Sequence, residues 1–422
     1  MHPKVLVISN NCFSKTDSNG RTLGNFFIDW PKDSLAQFYI QNASPDFDYC
    51  NNYFRVTDGQ ALQAFKFKKC NGGPVEKKTV KDLKTESDSH NSKPRRNPLT
   101  MLIRDFVWRF GGWKKCGFWS WIKEFSPDVV LLQAGDCPFM FDLALKVAKK
   151  QSAKLVVYNS EGYYFKDFDY FRTKGLKKTF YPIFRARLKL ATKRVYKKVD
   201  YAFYICDELK KAYDECFKHN SIVLHTASEF VPIKKEKTHE GFIASYCGNL
   251  GLDRHKNLIE IANALQEISC DLFVDVYGKI PSENVKKDFD DCKGIRYHGL
   301  IPYSEVKNVL YESDLIIHTE SFDDFYKKDL EFAFSTKIAD SLSCGTCFMI
   351  YAPENMACTK YLQENEAAYV VSEKYKLKDV LSEIVKNPGA RNRYLPAAEA
   401  LASKNHKADK NVEKFQSILR SL

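Results

Sequence analysis

The sequence predicts an α/β protein of two Rossmann-like domains, and three observations carry that prediction. At 422 residues the chain exceeds one ordinary domain and fits two cores of about 200 residues each. Apolar, β-branched runs at Val5 to Ile8, Val129 to Leu132, Leu155 to Tyr158 and Tyr201 to Ile205 alternate with longer segments of helical period. That alternation is the βαβ signature of a parallel sheet. After the polar stretch Lys234 to Glu240 the pattern restarts, with strands expected at Phe242 to Cys247, Leu272 to Tyr277, Leu315 to His318 and Cys347 to Tyr351. The boundary is placed near 230 to 240, giving domains over 1–232 and 240–404. Asn71 to Arg96, rich in Lys, Asp, Glu and Ser, reads as an exposed excursion of the first domain. By analogy with two-domain enzymes, a terminal helix at about 405–422 is expected to pack back on it.

Composition narrows the class. Hydrophobic residues make up 44% and charged residues 28%, the profile of a folded globular protein. No apolar run approaches the roughly 18 residues that span a bilayer. Thirteen cysteines without a secretory signal point to a reducing cytoplasm and to thiols used mainly as small buried hydrophobes. Cys344 and Cys347, the one Cys-x-x-Cys, lack a second pair at zinc spacing. The net charge of +12 is concentrated: residues 166–198 carry twelve Lys or Arg against Asp167 and Asp169, a local +10. Such a segment suits anionic lipid, nucleic acid or an acidic substrate, or is simply a solvated helix face.

Two stretches can carry chemistry. In Glu331 to Tyr351, Ser335 or Thr336 caps a helix that runs to Ser343 and stops at Gly345. A helix start at the carboxyl end of a Rossmann strand presents unpaired N–H groups and a positive dipole end to a diphosphate. Lys337 adds a full charge there, and Asp340, one turn on, can accept hydrogen bonds from ribose hydroxyls. In Tyr246 to Leu258 a strand runs into Gly248-Asn249-Leu250-Gly251, and Arg254 and Lys256 open a helix. The glycines permit close backbone approach, and the cations can neutralise a leaving diphosphate.

Both stretches resemble glycosyltransferase family 4 and its GT-B relatives. Asp340-Ser-Leu-Ser-Cys-Gly345 is similar to the family's Glu-Ala-Met-Ala-Cys-Gly. His318-Thr-Glu320-Ser-Phe322 resembles its Glu-Ser-Phe, followed here by an insertion. The resemblance implies two Rossmann-like domains facing across a cleft, with the donor held by Gly248, Asn249, Arg254, Lys256, Ser335, Thr336, Lys337 and Asp340. It implies a sugar contact from Glu320, with Glu331 as the alternative, and an acceptor-side N-terminal domain.

In the first domain, Ser9 to Gly24 reads as a strand end, a polar loop with Asn19 and Gly20, and a helix. By the same resemblance that loop lies over the cleft. Asn159, Glu161 and Gly162 follow a strand, so Glu161 is an acceptor-side candidate. His225 reads as a structural histidine. Trp108, Trp113, Trp119 and Trp121 lie among Arg104, Arg109, Lys114 and Lys115, a membrane-anchoring chemistry or core filling. Leu99, Ile103, Phe106 and Phe110 form the expected core-facing stripe, with Arg104 and Trp108 on another face.

The function expected is transfer of a sugar from a nucleotide donor, most simply a UDP-sugar, to a glycan or lipid-linked acceptor in cell-surface polysaccharide synthesis. The resemblance implies retention of configuration. Arg254 and Lys337, with Glu320 and Glu161, are the catalytic candidates. No metal or cofactor and no nucleic-acid partner is expected, and the place is the cytoplasm or the inner membrane face. Asp-x-Asp matches at Asp46/Asp48, Asp167/Asp169 and Asp288/Asp290 carry the false-positive risk of any short motif. The rivals are a nucleotide-sugar epimerase of the same fold and a non-catalytic membrane- or glycan-binding protein.

Overall fold

The computed structural model describes residues 2–15, 18–67, 69, 71–77, 96–233 and 239–422, apart from the side chains of Ser18 and Asn19. Most of the expected excursion at 71–96 and of the polar stretch at 234–240 lies outside these. The chain divides into two compact units, Met1–Leu224 with Val412–Leu422, and His225–Asn411.

Strands of the first unit are β1 Val5–Ser9, β2 Leu35–Tyr39, β3 Asn52–Arg55, β4 Gly73–Val75, β5 Val129–Ala134, β6 Lys154–Asn159, β7 Tyr201–Tyr204 and β8 Asn220–Val223. They form one sheet in the order β4-β3-β2-β1-β5-β6-β7-β8, parallel except for the antiparallel edge strand β4. β1 is buried along its whole length, as a parallel strand covered on both faces must be. One side of its core is closed by the terminal helix Ala408–Ser421. Phe415 stacks on Phe26, and Gln416 donates to the Phe26 and Ile28 carbonyls at 3.2 and 2.7 Å.

The helix Pro98–Phe110 begins at a capping box of Asn97 and Thr100. Its faces are the reverse of the expected stripe. Ile103, Phe106 and Phe110 are 53, 52 and 61% exposed, whereas Trp108 and Trp113 are each 1% exposed. The indole of Trp108 explains the reversal, because it finds partners for both its ring and its N–H inside. It stacks on Phe139 at 4.6 Å and donates to Asp58 at 2.7 Å, a carboxylate shared with Arg104. Trp113 donates to the Trp108 carbonyl. These two tryptophans are core residues and not membrane anchors.

The second unit has β9 Ala244–Cys247, β10 Val274–Tyr277, β11 Ile295–Gly299, β12 Leu315–Thr319, β13 Cys347–Tyr351 and β14 Tyr369–Val371. They are all parallel, in the order β11-β10-β9-β12-β13-β14. The order reverses between β9 and β12, the switch point outside whose carboxyl ends open α/β sheets bind ligands. Among the described residues no helix is long and apolar enough to cross a membrane. Cys344 and Cys347 are buried free thiols, and burial pushes Cys347 up to about 12. Cys116, expected as a free thiol, is disulfide-bonded.

Candidate active site

The glycine turn lies at this switch point. Gly248 follows β9 and donates to the Tyr277 carbonyl at 2.8 Å. A Cβ on Gly248 would stand 2.7 Å from the Tyr246 hydroxyl and 3.0 Å from Lys337 Cε, so a larger residue would have to displace these two side chains. Asn249 accepts from the Gly251 N–H through Oδ1 at 2.8 Å, and its carbonyl accepts from Tyr246 at the same distance. Leu252 and Asp253, with φ of 60° and 58°, turn the chain into the helix Arg254–Ile268.

Arg254 opens that helix and points across the switch point to Glu320, the first residue after β12. Its Nε and Nη2 donate to the two carboxylate oxygens, each at 2.9 Å, a bidentate pair that is almost wholly buried. His318 Nε2 lies 3.2 Å from the same carboxylate. Asn257, one turn after Arg254, donates to Thr319 Oγ1 at 2.8 Å and to the Glu320 carbonyl at 2.7 Å. Burial alone would raise the Glu320 pKa, yet the Arg254 charge and His318 hold it below the ordinary carboxylate value. Burial lowers His318.

Lys337 reaches the same place from the other side. The helix Thr336–Ser343 is capped by Ser335, whose hydroxyl accepts from the Lys337 N–H. The half-buried ammonium is lowered in pKa by burial first and by the Arg254 charge second, with Glu320 and Asp340 opposing. Two cations are therefore held together beside the closely packed Gly248 turn. They favour an anion between them, since it would relieve their repulsion and replace lost hydration.

Asp340 is not on an exposed helix start, as the sequence pattern suggested. It is 6% exposed, accepts from Ser228 Oγ at 2.6 Å and lies 3.3 Å from the Tyr303 hydroxyl. The apolar neighbours Ile338, Ala339 and Leu342 draw this helix into the unit.

Other expected residues fall elsewhere. Lys256 is exposed, pairs with Asp253 at 2.8 Å and lines a cavity of about 420 Å³ with Asn257, Glu260, Phe322 and Asp323. Glu331 is exposed and follows the short helix Asp324–Asp329, well removed in the chain from the Glu320 pair. Asn19 and Gly20 lie in the first turn of the helix Ser18–Asn25 and not in a loop before it. Glu161 is half-buried just after β6, where Asn159 is committed to the Tyr196 hydroxyl at 2.6 Å. His225 packs among the rings of Phe334, Tyr361 and His406. His318, Asn257, Tyr303 and Ser228 were not assigned roles from sequence. Asn257 had a signal in its helical spacing from Arg254, whereas Ser228, more than a hundred positions from Asp340, had none.

A family model described as glycosyl transferase-like matches residues 254–417. No curated protein matches the chain in sequence. Among solved structures, HepE of Anabaena in complex with UDP is similar at 9% identity and TM-score 0.65, over 99% of this chain and 100% of that one. Sucrose-phosphate synthase from Thermosynechococcus elongatus is similar at 12% identity and TM-score 0.63, over 99% and 98%. A glycosyltransferase from Rickettsia africae is similar at 13% identity and TM-score 0.57, over the same shares. At such identities the likeness is one of fold. The chain therefore carries a glycosyl transferase-like domain from Arg254 onward, on the GT-B fold of glycosyltransferases.

Proposed function

We propose that the chain transfers a sugar from a UDP-sugar to a glycan or lipid-linked acceptor in cell-surface polysaccharide synthesis, with retention of configuration. The observation that carries this reading is the pair of cations, Arg254 and Lys337, beside the Gly248 turn at the sheet's switch point. HepE, of like fold, is known in complex with UDP-glucose. As the bond from the sugar's anomeric carbon to the diphosphate breaks, charge gathers on the diphosphate oxygens. Arg254 and Lys337 meet that charge from fixed positions, and Glu320 with His318 and Asn257 aims the guanidinium. Asp340 accepts a ribose hydroxyl, with Ser228 and Tyr303 orienting it. Cations in these places do the work a divalent metal does elsewhere, so transfer proceeds without one. The chain acts in the cytoplasm and peripherally on the anionic inner face of the membrane.

The test is UDP release from a panel of UDP-sugars, with and without glycan acceptors and with a chelator. Acceptor-dependent release that survives the chelator is expected. Sugar interconversion without acceptor would make the chain an epimerase. Failure of every UDP-sugar to raise its melting temperature would end the nucleotide reading.

A further inference from the structure

The reversed helix Pro98–Phe110 leaves an apolar row facing water. Its outward side carries Ile103, Phe106 and Phe110, and Phe106 touches Phe65 of the helix Asp58–Phe67 with ring centroids 5.8 Å apart. On its other flank runs the helix Tyr181–Tyr196, tied to it through Arg187, whose guanidinium donates to Asp105 at 2.8 Å. That helix exposes Ile183 and Leu190, 57 and 54% accessible, with Lys193 on the same stripe. The 3-10 turn Gly175–Phe180 adds Leu176, 86% exposed, followed by the exposed Lys177 and Lys178.

The helix Pro98–Phe110 packs directly against the helices Asp58–Phe67 and Tyr181–Tyr196 and against the turn Gly175–Phe180, so their exposed large apolar side chains and the lysines beside them are neighbours. Water does not stabilise such a face, since contiguous exposed apolar surface rimmed by charge marks an interaction site. The charge chooses the occupant. Rings and aliphatic tips enter the boundary between headgroups and acyl chains, while lysines beside them meet anionic headgroups. A second copy of the chain would bring lysines against lysines.

We infer that the outward face of the helices Asp58–Phe67, Pro98–Phe110 and Tyr181–Tyr196 docks on an anionic lipid bilayer. This rests on the reading of the chain as a peripheral membrane transferase and assigns it a surface. Phe106, Phe110 and Ile183 insert, and Lys177, Lys178 and Lys193 contact headgroups. Trp108 and Trp113 take no part. Nor do Arg187 and Arg194, which are committed to Asp105 and Asp142.

The test is sedimentation of the full chain with vesicles of phosphatidylcholine alone or mixed with phosphatidylglycerol. Wild type should bind the mixed vesicles, and salt should release most of it. The Lys177→Glu, Lys178→Glu, Lys193→Glu variant should lose roughly 100-fold in partition onto mixed vesicles. The Phe106→Ser, Phe110→Ser, Ile183→Ser variant should fail on the same vesicles with its lysines intact. Both should keep the wild-type melting temperature and UDP affinity, because all six positions are exposed or surface-facing. Absence of wild-type binding, or binding unchanged in either variant, overturns the inference. So does a wild-type dimer that the serine variant converts to monomer without loss of vesicle binding. Failure of wild type to bind UDP would instead strike the transfer reading and leave the face standing.

Discussion

Basic residues do opposite work in the two units. In the first, residues 166–198 hold twelve Lys or Arg, and several of them, such as Lys177 and Lys178, are exposed. In the second, Arg254 and Lys337 are drawn together beside a backbone turn and next to Glu320, the guanidinium buried and the ammonium half-buried. Solvated charges make a broad field that salt screens over about 8 Å at physiological ionic strength. Buried charges act over a few ångströms, escape that screening and carry free energy that an anion can release. A count of charge finds the surface. Burial and pairing find the chemistry. Even within the basic segment the two kinds coexist, since Arg187 and Arg194 are structural partners of Asp105 and Asp142 while Lys193, Lys197 and Lys198 are exposed.

The sharpest way to break that contrast is at Arg254. Arg254→Ala leaves Glu320 buried without its bidentate partner, a loss expected to cost about 3 to 5 kcal/mol of stability. It should also lower kcat by roughly 100-fold or more, as removal of a preorganised charge at a developing anion does. The double change Arg254→Met with Glu320→Leu separates the two effects. It should restore most of the melting temperature, because no charge is left stranded, and restore none of the activity. Activity returning with stability would make the pair purely structural. Acid exposes the same pair. Glu320 sits below its ordinary pKa in the folded chain, so its contribution is complete above about 4.5 and fades as pH falls through the lower folded value. Glu320→Gln should flatten that part of the stability profile.

Lys337 sharpens the comparison through its titration. Lys337→Ala should cost on the order of 100-fold in kcat with little change in melting temperature, since half-burial already works against its charge. The folded pKa is lowered, so the charged form is present below that value and disappears as pH rises through it, earlier than for a solvated lysine. The alkaline limb of kcat/KM, which reports the free enzyme, should therefore fall below the ordinary lysine range of about 10.4. Lys337→Arg should move it upward. A limb that stays put in the arginine variant would remove Lys337 from the site.

How much of this was legible follows from what each residue is paired with. Strands β1, β5, β6 and β13 are near-continuous apolar runs because helices cover both faces of their sheets, and such runs stand out in a sequence. β2 does not, although it is just as buried. Its Leu-Ala-Gln-Phe-Tyr run is broken by Gln37, which donates inside the unit to Ser9 Oγ at 2.8 Å and accepts from the Phe13 N–H at 2.9 Å. β11 and β14 lie at sheet edges, β11 mostly exposed and β14 three residues long. In the site, the Ser335 cap and the glycine turn are local features that neighbouring residues specify. The Arg254 to Glu320 pair and the Ser228 to Asp340 bond join distant segments, and only the resemblance pointed to Glu320 at all. The helix Pro98–Phe110 misled for a different reason. Its exposed stripe is as apolar as its buried one, so periodicity could not tell which face met the core.

Asp340 is the intermediate case, a buried carboxylate held by neutral partners. Asp340→Ala strands the Ser228 hydroxyl and should cost about 1 to 3 kcal/mol of stability. It should raise the donor KM about tenfold while changing kcat less, because ribose contacts form in ground and transition states alike. Asp340→Asn keeps an acceptor for Ser228 and should recover most of the melting temperature but only part of the affinity. A donor KM unchanged in both folded variants would take the ribose away from this helix.

The smallest expected effect lies on the other side of the contrast. Reversing Lys177 and Lys178 changes the formal charge by four, more than Arg254→Ala and Lys337→Ala together, yet the transfer chemistry should hardly respond. With a water-soluble acceptor in 0.15 M salt, donor kcat/KM should stay within about twofold of wild type, since solvated surface charges are screened over the Debye length of about 8 Å. Lowering the salt to 0.01 M extends that length to about 30 Å and should open a modest difference between variant and wild type, an effect on encounter that appears in kcat/KM and not in kcat. Stopped-flow donor binding at the two salt concentrations measures it directly. A tenfold loss at physiological salt would mean that the basic segment touches the donor, and the division between solvated charge for docking and buried charge for chemistry would not hold.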